Sequence, residues 1–299
     1  MSRPVGGRDY PRNQPEFNEF FPTERACLRY LAFVRWRDGF VCPACGHDEC
    51  WKRSDGLYLC CKCRRKTSPT AGTIFDKTRF GLQTWFAAAW HITTQKYGAS
   101  ALGLQRVLGL GSYETAWAWQ HKYRRAMVNP GRKKLSGKVE VDETFFGGVK
   151  SGGAAGRGAP GKTMVVVAIE DWGQRSGRVR MARIPNATRP VLHGFILDNV
   201  EIGTTVITDG WWHYKGLDKL GYIHERRIVK GSGKQAHELL PHVHRVIALV
   251  KRWIEGTHQG SFRPHHLDYY LDEYTFRFNR RGSKTRGLLF YRLIEQAVQ

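Results

Sequence analysis

Lys138-Val-Glu-Val-Asp-Glu-Thr-Phe-Phe146 decides the fold. It alternates with the period of a strand: Val139 and Val141 point one way, and Glu140, Asp142 and Thr144 the other. A strand of this kind lays acids on one face of a sheet and valines on the opposite face. Downstream, Gly147 to Gly161 reads as a Gly-rich hairpin loop, and Thr163-Met-Val-Val-Val-Ala-Ile169 as a buried strand. Arg178-Val-Arg-Met-Ala-Arg-Ile184 alternates as a third strand. The pattern then predicts a short helix over Arg189 to Asp198 and a fourth strand, Thr204-Thr-Val-Ile-Thr-Asp209, that ends on an acid. A fifth strand is predicted over Tyr222 to Val229, and a long helix over Leu239 to Ile254.

Three strands, helix, strand, helix, strand, helix is the order of a ribonuclease-H-like α/β fold. In that fold the first strand and the end of the fourth lie side by side, so Asp142 and Asp209 meet at one edge of the sheet. Two carboxylates in one cleft repel unless a cation neutralises them, and hard oxygen ligands suit Mg2+ or Mn2+. The closing helix carries an apolar stripe of Leu240, Val243, Ile247, Val250 and Ile254, with His244 beside it as a third ligand candidate. Lys251 follows two turns later on the same face, where a cation can hold phosphate. The expected chemistry is two-metal phosphodiester cleavage with Asp142 bridging the ions. The bland alternative makes both aspartates surface acids and His244 a solvated helix residue. The order strand-acid, strand-acid, helix-histidine is what tips the reading.

Working toward the N-terminus, Asn129 to Gly137 reads as a basic linker rich in chain breakers. Residues 82 to 126 look helical. Within them Ser100 to Leu108, a turn at Gly109-Leu-Gly111, and a helix from Ser112 to Arg124 make a helix-turn-helix pattern. Its second helix offers Gln120, Lys122 and Arg124 as DNA-contact candidates, along with Tyr113, Glu114 and His121. An ordinary helical hairpin packed by Trp117 and Trp119 is the competing reading.

Six of the seven cysteines lie between Cys42 and Cys63. Cys42-Pro-Ala-Cys45 and Cys60-Cys61-Lys62-Cys63 are two C-x-x-C turns separated by fourteen residues. Four thiolates so placed predict a closed, structural Zn2+ site of Cys42, Cys45, Cys60 and Cys63. Gly46 is expected to need a positive φ. Cys50 and Cys61 are spectators in this scheme, or substitutes for a neighbouring ligand, and Cys27 belongs to an apolar helix core. Arg64, Arg65 and Lys66 follow the last ligand and are candidates for gripping phosphate.

The formal net charge of +22 on 299 residues calls for a polyanionic partner, and nucleic acid fits best. No apolar run crosses a bilayer and no apolar leader opens the chain, which predicts a cytoplasmic, nucleoid-associated protein without membrane contact.

The chain resembles the zinc-ribbon transposases of bacterial insertion sequences, in the family numbered fifteen ninety-five, whose catalytic domain is called ISXO-two-like. The resemblance rests on FVCPACG at 40–46, TAGTIF at 70–75, VDETFFGG at 141–148, TDG at 208–210, VHRVIALVKRWIEGTHQG at 243–260 and YLDEYTFRFNRR at 270–281. It implies Asp142 and Asp209 as the two acids, His244 at the third position and Lys251 as the downstream lysine. A histidine there departs from the glutamate of the wider superfamily and shifts the preference toward Mn2+; Glu238 and Glu255 stand in reserve. The resemblance also implies binding to double-stranded DNA at terminal inverted repeats, strand cleavage, joining to target DNA, and at least a homodimer. Arg277, Arg280 and Arg281 in the basic tail are further candidates for contact with the DNA backbone. The expected division is a lead-in over 1–38, zinc ribbon over 39–78, helix-turn-helix-like segment over 79–128, linker over 129–137 and catalytic domain over 138–299. The competing functions are a DNA-binding protein without catalysis, decayed or domesticated, and a structure-selective nuclease on the same fold.

Overall fold

Two capped helices open the chain. In α1 (Gln14–Phe20) the Asn13 side chain accepts the Glu16 N–H, and in α2 (Glu24–Arg35) the Thr23 hydroxyl accepts the Ala26 N–H. A computed structural model describes residues 3–129, 131–147, 162–229, 231–258 and 262–299. Most of the Gly-rich loop expected over 147–161 therefore lies outside the described residues. The chain divides into two compact units, residues 1–129 with 282–299, and residues 130–281.

In the first unit, β1 (Cys50–Lys52), β2 (Tyr58–Cys60) and β3 (Lys66–Thr67) form a small antiparallel sheet in that order. Asp55 turns β1 into β2 by accepting the Leu57 N–H at 3.1 Å. Three helices follow: α3 (Leu82–Thr94), α4 (Ala101–Leu108) and α5 (Tyr113–Ala126). Gly81 gives α3 no capping side chain, and Glu24 of α2 supplies the cap instead, accepting the Leu82 N–H at 2.6 Å. The α4–α5 turn forms as the sequence predicts. Ser100 and Ser112 cap the two helices, and Gly109 ends α4 in the left-handed region at φ 62°.

The second unit holds β4 (Lys138–Phe146), β5 (Thr163–Trp172), β6 (Arg175–Ile184), α6 (Arg189–Asn199), β7 (Thr205–Thr208), β8 (Ile223–Arg226), a one-turn α7 (Ala236–Leu239), α8 (Pro241–His258) and α9 (Leu267–Phe278). The sheet order is β6-β5-β4-β7-β8. β4, β5 and β6 pair antiparallel, whereas β7 runs parallel to β4 and β8 parallel to β7. The apolar run in β5 is explained by cover on both faces. Val165, Val167 and Ile169 pack with Val243, Val246 and Val250 of α8. Val166 and Ala168 pack with Val139 and Val141 of β4 and with Leu192 and Ile196 of α6. Glu140, Asp142 and Thr144 therefore face the α8 side.

The chain end departs from the expected division. Residues 282–299 belong to the first unit, where they form α10 (Gly287–Ala297). Phe290 is fully buried, with its ring centroid 5.7 Å from Phe17, 5.6 Å from Phe21, 5.8 Å from Phe86 and 5.7 Å from Trp90. Gly287 permits this docking, because a Cβ there would overlap the carbonyl of Pro11. The apolar stripe of Leu289, Phe290, Leu293, Ile294 and Ala297 is what overrides position in the sequence.

Candidate metal centres and nucleic-acid interface

The ribbon gathers its ligands as the spacing predicts. The sulfurs of Cys42, Cys45, Cys60 and Cys63 all lie within 4.8 Å of one another. Two tetrahedron edges, Cys42–Cys63 and Cys45–Cys60, are 3.6 Å each. Four thiolates about 2.3 Å from one Zn2+ stand about 3.8 Å apart, so the set fits a closed tetrahedral site. Each C-x-x-C turn closes with a left-handed residue: Gly46 at φ 72°, and Arg64 at φ 59°, whose N–H donates to the Cys60 carbonyl at 3.1 Å. The amide of Ala44 points at Cys42 and, with help from Cys45, draws its thiol down to about 6, which favours the thiolate. Cys50 and Cys61 stand outside the set, and Cys27 is buried in α2.

The acids of the second unit are placed by strand register. β4 and β7 pair in parallel with Glu140 opposite Ile207. Continued two residues, that register would bring Asp142 level with Asp209, just past the end of β7, and the charges of both act on the buried Tyr214. Asp209 is fixed by accepting the Trp211 N–H at 2.9 Å. α8 brings His244 over β4, with Nε2 3.6 Å from Asp142 Oδ2. Burial lowers the His244 pKa, which keeps the imidazole neutral and leaves a lone pair for a metal. The donor set, two carboxylates and a neutral imidazole, fits a divalent cation. Asp142, Asp209 and His244 are spread more widely than the four thiolates, since their ligand atoms do not all fall within 4.8 Å of one another. Lys251 is half-buried above Phe146, at 5.9 Å from the ring, and burial lowers its pKa. It lines a cleft of about 510 Å³ with Lys162, Glu143, Glu255 and Phe262. Of the reserve acids, Glu255 lines this cleft, whereas Glu238 is committed to α7, accepting the Gln235 N–H at 2.6 Å.

The sequence reading missed Tyr214. Its hydroxyl is buried, and burial together with the charges of Glu143, Asp142 and Asp209 raises its pKa well above 10. The signal was the aromatic run Trp211-Trp212-His213-Tyr214 directly after Asp209.

The DNA-contact candidates divide by exposure. Arg64, Arg65, Lys66 and Lys122 are exposed, and Arg64 lies 4.5 Å over the Trp51 ring. Gln120 and Arg124 are corrections, being buried at 3% and 1% exposure. Gln120 donates to the Ala99 carbonyl at 2.7 Å, and Arg124 donates to Gln120 at 3.1 Å, so both join the helices instead of reaching outward. The tail arginines are also engaged within the fold. Arg277 sits 3.9 Å from Glu273, Arg280 donates to the Phe276 carbonyl at 3.1 Å, and Arg281 donates to the carbonyls of Ser176, Gly177 and Phe278. Among the described residues, no helix is long and apolar enough to cross a membrane.

Comparison with known proteins finds matches over both segments that hold these residues. Residues 134–279 match the ISXO2-like transposase domain, and residues 22–66 match the transposase zinc-ribbon domain. A relative from Halobacterium salinarum, described as an uncharacterized protein in transposable element ISH50, is 29% identical over 261 residues, covering 80% of this chain and 86% of that protein. The zinc-ribbon match fits Zn2+ at the four cysteines, and the transposase-domain match fits a divalent cation such as Mg2+ or Mn2+ in the second unit. The chain therefore carries, in this order, the zinc-ribbon and ISXO2-like domains of the insertion-sequence transposases that its motifs resemble.

Proposed function

We propose that this chain is a DNA transposase that binds the terminal inverted repeats of an insertion sequence, cleaves a strand at each end, and joins the freed ends to target DNA. The observation that carries the reading is the parallel β4–β7 register. Continued two residues past Glu140 and Ile207, it would bring Asp142 level with Asp209, with His244 3.6 Å from Asp142, inside the segment that matches a transposase domain. The sheet order, with its antiparallel β6-β5-β4 half and parallel β7 and β8, supports a ribonuclease-H-like fold for that segment.

Asp142, Asp209 and His244 would hold the divalent cations, which supply Lewis-acid activation of the attacking and departing oxygens. Lys251 and Lys162 line the same cleft and would present positive charge to the phosphate beside the scissile bond. Tyr214 lies in the core with Val139 and Val141, on the face of β4 opposite Asp142. The exposed Arg64, Arg65 and Lys66 of the ribbon, with Lys122 of α5, supply contacts to the DNA backbone. Pairing two element ends requires at least a homodimer on DNA, acting in the cytoplasm at the nucleoid.

The deciding experiment is a cleavage and joining assay on the flanking repeat ends in Mg2+ and in Mn2+, with Asp142→Asn as control. Metal-dependent nicking at the ends by the wild type alone is expected, stronger in Mn2+ because of the imidazole ligand. Equal nicking by the variant would refute the centre. Binding to the ends without any cleavage in either metal would move the chain to the non-catalytic DNA-binding reading.

A further inference from the structure

Beneath the first turn of α8 lies a second group of metal-ligand side chains, drawn from three elements. Glu140 of β4, Asp171 of β5 and His242 of α8 each bring one ligand atom, and the three atoms lie within 4.8 Å of one another. Glu140 is fully buried. Its Oε2 accepts the Val243 N–H at 2.8 Å, whereas its Oε1 is buried with no hydrogen-bond partner. A carboxylate oxygen in that position keeps its desolvation penalty with nothing to offset it.

The other two members face the same point. Asp171 Oδ1 lies 3.1 Å from His242 Nε2. The second ring nitrogen, Nδ1, is 2.9 Å from the buried Ser176 hydroxyl. An imidazole that donates Nδ1–H to Ser176 turns its Nε2 lone pair toward the carboxylates. This is the outer-sphere arrangement that fixes the tautomer of a metal-ligating histidine. Among the described residues, no lysine or arginine pairs with Glu140 or Asp171. In that tautomer a lone pair and two carboxylates converge, with Asp171 Oδ1 also accepting the Gly173 N–H at 2.7 Å, and a cation among them would relieve the repulsion. Ligands about 2.1 Å from one ion and at right angles stand about 3 Å apart, which matches the Asp171–His242 separation.

We propose that Glu140, Asp171 and His242 form a second divalent-cation site, structural in role, that ties β4 and β5 to the first turn of α8. Two carboxylates and an imidazole suit Zn2+ or Mn2+ better than Mg2+. The site is separate from the Asp142 centre and does not depend on the cleavage reading. It uses the residues two positions before Asp142 and two before His244: Glu140 shares the α8-facing side of β4 with Asp142, about 7 Å along the strand, and the helix period turns His242 away from His244 toward Asp171.

The test uses the full chain with its ribbon zinc in place and with Asp142→Asn and Asp209→Asn, so that the neighbouring centre is removed. Calorimetric titration with Mn2+, and separately with Zn2+, is expected to show one equivalent bound beyond the ribbon zinc, with a rise in melting temperature. Adding Asp171→Asn, His242→Asn or Glu140→Gln is expected to weaken that equivalent at least about tenfold and remove the thermal shift. Asp171 is partly exposed at the end of its strand, so Asp171→Asn carries the test if a more deeply buried variant fails to fold, with circular dichroism and retained ribbon zinc as the folding check. No binding beyond the ribbon zinc would overturn the site and leave a proton-mediated His242–Asp171 hydrogen bond. Binding that persists undiminished in Asp171→Asn would overturn it as well, and assign the ion to the surface.

Discussion

The three strands of the ribbon are two or three residues long and close over a core of Phe40, Cys42 and Cys60. The strands of the second unit reach ten residues, and their central members are covered on both faces by helices. The ribbon buries too little apolar surface to offset the entropy of ordering its chain, so its fold depends on the metal. The sheet is held by burial, which leaves the carboxylates of its central strands, near the end of β7, available for chemistry. The four cysteines close round one point, while Asp142, Asp209 and His244 stand further apart. A divalent cation is thus part of the architecture in one region and, in the function proposed, a working part in the other.

The largest effect should come from stripping metal. Structural Zn2+ in a small ribbon contributes on the order of 10 kcal/mol. Chelation should release one zinc for the Cys42–Cys63 set and unfold residues 39–78, while amide exchange in β4 and β5 stays slow. Simultaneous loss of protection in the sheet would break the comparison. Next in size, Asp142→Asn should lower end cleavage by at least about a thousandfold, or ~4 kcal/mol of barrier, with DNA binding and melting temperature unchanged. A variant that cleaves normally would remove the working role assigned to the sheet edge.

Phe290→Ala should cost about 3–4 kcal/mol by opening a cavity among Phe17, Phe21, Phe86 and Trp90. The loss should appear as local unfolding of α3 and α10 in hydrogen exchange. Uniform destabilisation of β4–β6 instead would contradict the assignment of α10 to the first unit.

The smallest effect concerns Asp272 of α9, whose carboxyl is pushed up to about 7, chiefly by burial, with Asp268 adding to the shift and Arg132 opposing it. The folded state holds this proton where the unfolded chain, near 3.9, has lost it. Stability is therefore lost as pH rises from about 4 to about 7 and stays lower above that. Asp272→Asn should recover on the order of 2 kcal/mol at pH 8 and almost nothing at pH 4. Equal gains at the two pH values in thermal denaturation would discount the buried charge as the cause.

Much of this arrangement could be read along the chain because it depends on local spacing. Two C-x-x-C turns fix four sulfurs at nearly one point. The period of Lys138–Phe146 fixes which side chains share a face, and the Ser100 and Ser112 hydroxyls, with the left-handed Gly109 between them, fix a helix-turn-helix turn. Each of these follows from covalent geometry and hydrogen bonds within a few residues. Tertiary packing decided the rest. Gln120 and Arg124 looked like groove-reading side chains and became buried links between helices. Arg277, Arg280 and Arg281 looked like a free basic tail and became partners of carbonyls and Glu273. The last eighteen residues left the domain they follow in sequence, because an apolar stripe docks wherever a complementary surface lies. The meeting of Glu140, Asp171 and His242 was equally invisible, since the strand and helix periods say which way each side chain points and nothing about which residue from a distant part of the chain it will meet.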